Sequence, residues 1–353
     1  MSKENKIFLI LEGNNGATYI FNVRDMNTIS LSLRFYKSHT LRQKILKISL
    51  MIYLNVLNKL SDFFTCCNLK NRKDINQYLR KLTDQPINFE LDEMSSIFIS
   101  STRDKIIVHH HHHYFHKFAF NKSYKNVKKE VDIYRVLDKK FQSFKVSKIS
   151  DCIESKGKNI SFKLSPHYHN LMFNGNMTTS LVELFNVTRQ DKYLFSTYIE
   201  DLENRYTGSG SDCSFIKNLL IVLRDAQKSH FISLGFVHRD FKPWNIDDDH
   251  GLLIYDFEEA LVEGPPMEDM LNYNIDPMIR YTPIPLIAEE IFSENKINEY
   301  RDYLESLQIK IDFIELIYCH LIERVIFWKV VRDQDVSSKY CELIEYIFSE
   351  QGI

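Results

Sequence analysis

Residues 237–260 read VHRDFKPWNIDDDHGLLIYDFEEA. His238, Asp240, Lys242 and Asn245 share one short loop, and Asp256-Phe257-Glu258 begins eleven residues after Asn245. The apolar run at residues 252–255 has the length of a short strand, which would return Asp256 to the loop. Each polar residue alone is an ordinary cap or turn residue. The combined pattern H-x-D-x-K-P-x-N, apolar strand, D-F-E is what narrows the reading.

Phosphoryl transfer asks a protein mainly for a positioned nucleophile and neutralised phosphate charge. In such a site Asp240 can orient a hydroxyl and accept its proton. The Asn245 carbonyl oxygen and the Asp256 carboxylate are hard ligands suited to Mg2+. Lys242 can reach a transferring phosphate, and His238 reads as a structural residue that holds the loop by hydrogen bonds. The acidic stretch 247–259 tolerates phosphates only with a cation in between.

With 353 residues the chain has room for two lobes and a sizeable core. Hydrophobic residues at 44% and aromatics at 13% mark an ordered globular protein. A net charge of -2 supplies no basic field for nucleic acid. The balance is locally uneven, since residues 117–148 are Lys-rich. Six cysteines without a CxxC pair read as free thiols in a reducing cytoplasm. The N-terminal apolar segment is too short for a signal peptide, and no uncharged apolar run reaches about 18 residues. The expected location is cytoplasmic, with no membrane span.

In chain order, residues 6–36 read as strands around a Gly13–Gly16 turn. A helix over 41–64 has apolar residues on most of its circumference, plus Arg42, Lys44, Lys47 and Lys59. Two roles stay open for it: packing against the rest of the protein, or peripheral contact with an anionic membrane at its inner face. A short helix around 75–82 ends at Pro86. Strands follow at SSIFISS, KIIVHH and YFHKFAF, then a Lys-rich helix capped by Ser123, then strands at FKVSKISDCI and NISFKL. Beyond Pro166 the pattern is mainly helical. A helix is expected over 215–234 with Gly235 as its stop. Five prolines (265, 266, 277, 283, 285) suggest an extended segment, and helices are expected near 288–306, 309–332 and 336–349.

HRDFKPWN with YDFE resembles the catalytic and metal loops of the protein-kinase-like superfamily. DFE in place of DFG, with no A-P-E after it, is similar to the aminoglycoside/choline-kinase branch. The strongest similarity is to phosphotransferase-like proteins of bacterial polysaccharide gene clusters, with Arg239 where that branch usually has Gly. The resemblance implies an α+β, bilobal protein-kinase-like fold. Its N-lobe is a small antiparallel sheet with one crossing helix, its C-lobe is larger and helical, and an extra β/helix segment lies at the N-terminus. The implied segments are 1–90, 91–166 and 167–353.

The resemblance also implies ATP and Mg2+ as cofactors, Asp240 as catalytic base, and Asn245 and Asp256 as metal ligands. Lys117 and Glu130 would be the ion pair on the nucleotide phosphates, with Lys122 as the rival lysine. Ser100, Ser101 and Thr102 fall where the family's phosphate-covering loop lies, although this turn lacks glycine. Residues 164–167, including Leu164 and His167, would be the adenine-contacting hinge, and Asp269 would brace the catalytic loop.

The implied reaction is phosphorylation of a hydroxyl on a sugar, glycan or other small molecule, with a place in surface-polysaccharide biosynthesis. A protein Ser/Thr kinase and an inactive nucleotide-binding scaffold remain alternatives. Nothing in the chain names the acceptor or the oligomeric state. The run His109–His113, with His116 nearby, reads either as a tolerated repeat on a strand or as a metal tract.

Overall fold

Three consecutive strands pair antiparallel: β4 (Ser96–Ile99), β5 (Lys105–His110), whose side chains alternate between half-buried and buried, and β6 (Tyr114–Phe120). They belong to a computed structural model that describes residues 8–12, 17–22, 45, 48–49, 51–53, 69–70, 72–83, 96–110, 114–138, 141–155, 159–165, 176–211, 213–226, 230–247, 252–331 and 333–351. The chain divides into two compact units, Met1–Asp138 with Val146–Tyr168 and Lys139–Lys145 with His169–Ile353. The class is α+β, with an antiparallel sheet and a helical lobe.

Among the described residues, the first unit holds an antiparallel sheet of eight strands. To β4–β6 it adds β1 (Phe8–Glu12), β2 (Thr18–Asn22), β3 (Leu69–Lys70), β8 (Lys148–Ser155) and β9 (Asn159–Ser165), in the order β3-β1-β2-β4-β5-β6-β9-β8, while the two-residue β7 (Lys145–Val146) lies outside it. The N-terminal strands therefore extend the same sheet, β2 pairing with β4 through Ile20 and Ile97. Helix α1 (Arg72–Thr83) sets Ile75 and Leu79 against Ile10, Ile97, Ile106, Phe118 and Phe120. Both are fully buried, worth about 2 kcal/mol each. Strand alternation then sends Lys117 to the other face. There the crossing helix α2 (Asn121–Val136) buries Val127, Glu130, Val131 and Tyr134.

Helix α2 starts differently from expectation. Its N-cap is Phe120 and no side chain of the helix caps it. Asp104, from the β4–β5 turn, serves instead: its carboxylate accepts the Ser123 N–H at 3.2 Å, and its carbonyl oxygen accepts the Phe120 N–H at 2.8 Å. A carboxylate at a helix N-terminus satisfies open N–H groups and complements the helix dipole.

Of the expected 41–64 helix only residues 45, 48, 49 and 51–53 are described, all helical. Ile45, Ile48, Ile52 and Tyr53 are more than half exposed, so packing against the rest of the protein fails at those positions. Among the described residues no helix is long and apolar enough to cross a membrane. The expected turn at 13–16 and the last of the strands expected within 6–36, at 30–36, lie outside the described residues.

In the second unit α3 (Met177–Phe185) is capped by Asn176, whose Oδ1 accepts the Thr179 N–H at 2.8 Å. Then come β10 (Gln190–Leu194), α4 (Phe195–Gly208) and α5 (Ser214–Ala226). The helix expected over 215–234 stops at Ala226, and β11 (Phe231–Val237) follows as a strand. Only the first part has a true helical face, through Ile216, Leu219, Leu220 and Leu223. Val222, on the same helix, is 48% exposed. β-Branched and aromatic residues of FISLGFV favour the strand instead.

Gly235 therefore stops no helix. It lies in mid-strand, opposite Gly264 of β14 (Leu261–Gly264), in the sheet β10-β11-β14. A Cβ on Gly235 would stand 2.5 Å from the Phe185 carbonyl oxygen, and one on Gly264 would strike the Val237 side chain.

The prolines also behave otherwise than expected. Pro265 and Pro266 precede α6 (Glu268–Ile275), Pro283 is the N-cap of α7 (Ile284–Ile291), and Pro285 sits in its first turn. Proline fits helix starts because its missing N–H costs nothing there. The helix expected near 288–306 is two helices, α7 and α8 (Glu294–Ser306), broken at Phe292-Ser293. Helices α9 (Phe313–Val331) and α10 (Gln334–Gln351) complete the unit. Every residue of α9 from Leu316 to Ile326 is buried, as expected of a core helix.

Gly235→Ala should destabilise the second unit by roughly 1–3 kcal/mol through overpacking against Phe185. Denaturant unfolding would check this; a midpoint equal to wild type would exclude the close contact.

Candidate functional site

Strand β11 delivers the chain to His238, which is wholly buried. Its Nδ1 accepts the Asp240 N–H at 3.2 Å, so Nε2 carries the proton and donates to the Tyr255 carbonyl oxygen at 2.9 Å. Burial lowers the His238 pKa, with the Tyr255 hydrogen bond opposing, which keeps the ring neutral. The ring also packs on Phe257, with centroids 4.6 Å apart. His238 thereby ties the loop before Asp240 to the segment that carries Asp256.

Asp269, in the first turn of α6, accepts the His238 N–H on Oδ2 and the Arg239 N–H on Oδ1, each at 2.8 Å. Asn272, one turn on, donates from Nδ2 to the Arg239 carbonyl oxygen at 3.0 Å. These three bonds hold Arg239 in the left-handed region, at φ 61°. Burial pushes the Asp269 carboxyl up to about 7, against the pull of the two N–H donors. The bracing role expected of Asp269 is what the structure contains.

Asp240, half-buried, comes two residues past His238. Its Oδ2 accepts a hydrogen bond from Asn245 Nδ2 at 2.7 Å, the same nitrogen donates to the Asp240 main-chain carbonyl oxygen at 2.8 Å, and Asp240 Oδ1 pairs with Lys242 Nζ. The 3-10 turn Pro243–Asn245 and the hairpin β12 (Ile246–Asp247) with β13 (Leu253–Ile254) then reverse the chain. The Tyr255 N–H donates to the Asn245 carbonyl oxygen of the main chain at 3.2 Å, so Asp256 follows immediately beside Asn245. Asp256 has φ 68°.

This arrangement suits a hard cation. The Asn245 amide nitrogen is committed to Asp240, which leaves its side-chain oxygen as the group with no hydrogen bond among the described residues. That oxygen and the neighbouring Asp256 carboxylate are oxygen donors of the kind Mg2+ takes.

Within the first unit, Lys117 Nζ meets Glu130 Oε2 at 2.7 Å, with side chains 5% and 0% exposed. Lys122 is exposed at the start of α2. The Ser100–Thr102 turn is closed on itself. Ser100 Oγ lies 3.1 Å from Thr102 Oγ1 and accepts the Lys105 N–H, Thr102 Oγ1 donates to the Asp104 carboxylate, and Ser101 is exposed. Leu164 is buried on β9 opposite Phe115 of β6, while His167 lies outside the described residues.

Of the histidine run, His109 and His110 are described and stack on Phe115 and Tyr114. His116 faces Phe118, and burial pushes its pKa down to about 4.

Reading by motif missed a chain of buried charge behind the loop. Lys242 Nζ lies 3.0 Å from Asp276 Oδ2, and Asp276 also takes Arg324 Nη2 at 2.5 Å and the Tyr340 hydroxyl. Arg239 reaches Glu268 and Glu323, each at 3.7 Å, and Glu323 pairs with Arg205 at 2.6 Å. A signal existed: His320, Glu323 and Arg324 interrupt the otherwise apolar buried stretch Leu316–Ile326 of α9, and charges there persist only with partners.

No family model and no curated protein matches the chain. Solved structures similar to it include wild-type aminoglycoside 2'-phosphotransferase-IIIa with GDP, at 11% identity and TM-score 0.44, over 80% of this chain and 100% of that one. Others are aminoglycoside phosphotransferase APH(4)-Ia, as a thermostable mutant with ADP and hygromycin B (12%, 0.41, 78% and 97%), and spectinomycin phosphotransferase APH(9)-Ia with ADP and spectinomycin (14%, 0.36, 78% and 93%). These are likenesses at low identity, and the chain's own residues carry the functional reading.

Asp269→Asn would set an amide N–H against a main-chain N–H. A loss of roughly 1–3 kcal/mol is expected in denaturant unfolding, and an unchanged midpoint would show that the brace is dispensable.

Proposed function

We propose that the protein transfers the γ-phosphoryl group of ATP to a hydroxyl of a sugar, glycan or other small molecule. The observation that carries this is Asp240, held by Asn245 on one oxygen and Lys242 on the other, and 28% exposed in its side chain. A carboxylate so oriented can take the proton of an acceptor hydroxyl as its oxygen bonds to the γ-phosphorus and the bond to the ADP oxygen breaks. Lys242 faces the developing negative charge. Lys117, paired with Glu130, holds the nucleotide phosphates. Asn245 and Asp256 would hold Mg2+, which offsets phosphate charge when bound.

The glycan acceptor and a place in surface-polysaccharide assembly rest on the D-F-x-P-W-N and D-F-E residues from Asp240 to Glu258. Exposure of Ile45, Ile48 and Ile52 is compatible with a protein that works at a membrane surface. A second reading, nucleotide binding without transfer, draws on the closed Ser100–Thr102 turn, whose hydroxyls are turned to one another and to Asp104.

ADP release should be measured with ATP, Mg2+ and a panel of neutral sugars, amino sugars and oligosaccharides. Acceptor-dependent release by wild type, cut at least 100-fold in Asp240→Asn, is expected. Equal rates would remove Asp240 from the chemistry. In Lys117→Met, nucleotide affinity measured by calorimetry should fall about tenfold or more, and an unchanged Kd would remove Lys117 from the nucleotide site.

A further inference from the structure

Asp276 has no place in the motifs, yet it stands at the junction between the catalytic loop and the helical core. It is the C-cap of α6, 8% exposed, and its N–H donates to the Asn272 carbonyl oxygen. Three donors from three elements converge on its carboxylate: Lys242 Nζ at 3.0 Å, Arg324 Nη2 of α9 at 2.5 Å, and the Tyr340 hydroxyl of α10. Arg324 is itself 1% exposed and lies over the rings of Phe327 and Trp328, at 4.6 and 5.4 Å. Arg324 is therefore a rigid post, and Asp276 is held from that side whether or not Lys242 is present.

The charges alternate along this line: Asp240 negative, Lys242 positive, Asp276 negative, Arg324 positive. A buried array with matched signs and hydrogen bonds is tolerable, whereas loss of one member leaves an uncompensated charge. Burial alone would raise the Asp276 carboxyl, but Arg324 and then Lys242 hold it below the usual range, so it stays ionised. A lysine has a long, flexible stem and would otherwise settle on any nearby acceptor. Here the ammonium is shared between Asp240 and Asp276, which defines where it sits along the face of Asp240.

We infer that Asp276 is a positioning residue for transfer: anchored by Arg324 and Tyr340, it sets Lys242 against Asp240 and thereby orients the carboxylate that receives the hydroxyl proton. The inference rests on the phosphotransferase reading, but its structural half can be tested without turnover.

Two measurements test it on the full-length protein. The first is the rate of Lys242 acetylation by an amine-reactive ester, followed by mass spectrometry of the digested protein. Asp276→Asn should raise that rate several-fold, with the rates of other lysines unchanged. Equal Lys242 rates would overturn the tether, whether or not any acceptor is found.

The second is kinetics with the acceptor that supports turnover. Asp276→Asn should lower kcat about 10- to 100-fold with the KM for ATP within about twofold of wild type, and should add no further loss to Lys242→Met. An unchanged kcat, or losses that multiply, would overturn the positioning role. Because Asp276→Asn strands the Arg324 charge, the pair Asp276→Asn/Arg324→Met serves as the folding-safe variant and should show the same kcat loss and the same Lys242 labelling. Tyr340→Phe, which leaves both charges in place, should give a smaller loss of the same kind. A kcat loss in the pair accompanied by a matching rise in the KM for ATP would mark general damage and count against the proposal.

Discussion

Two main-chain N–H groups, those of His238 and Arg239, point at one carboxylate, Asp269. The left-handed backbone at Arg239 exists because that carboxylate accepts both and Asn272 secures the following carbonyl oxygen. If that local geometry relaxed, Asp240 would lose its direction, and its contacts to Asn245 and Lys242 with it. The brace comes from the first two turns of a helix whose own entry is unusual, with Met267 at φ 67° as N-cap. Helix α6 thus orients the loop by its start and, through Asp276 at its end, touches Lys242 as well.

Electrostatics around the loop follow one pattern: Lys242, Asp276, Arg324, Arg239, Glu268 and Glu323 each meet a group of opposite sign, while Asp269 is held by main-chain N–H groups. Arg239 stands between Glu268 and Glu323, and Glu268 also faces His320 at 3.2 Å. Burial would raise the Glu268 carboxyl, yet His320 and then Arg239 and Arg324 hold it below the usual range. Such arrays add little net stability compared with apolar packing, but they resist rearrangement because any shift exposes an unmatched charge. For a site that needs fixed polar groups, that resistance matters more than the energy gained.

The residues around Asp240 were legible in sequence because their geometry is local. Asp240 and Asn245 are five residues apart, and a short hairpin returns Asp256 to them. Lys117 and Glu130 were legible for a related reason, since one strand and the helix after it bring them together. Asp276, Arg324 and Tyr340 were not, because they meet only through the packing of α6, α9 and α10, which no spacing encodes. The strand at 231–237 was missed where apolar residues fit two periods over a short stretch and a glycine looked like a helix stop. The role of Ser123 at α2 was misread because the group that caps that helix, Asp104, lies nineteen residues away in another turn.

The pair of glycines facing each other across β11 and β14 has a consequence for how this chain can drift. Any side chain at 264 collides with Val237, the last residue before the His238–Asn245 loop, and any at 235 collides with the Phe185 carbonyl oxygen. A lineage could enlarge position 264 only by shrinking position 237 in the same step, and Val237 is 2% exposed, so shrinking it opens a void in the core. The approach to the loop is thus guarded by two residues that carry no chemistry. Their small size is a mutational lock on the backbone that presents His238.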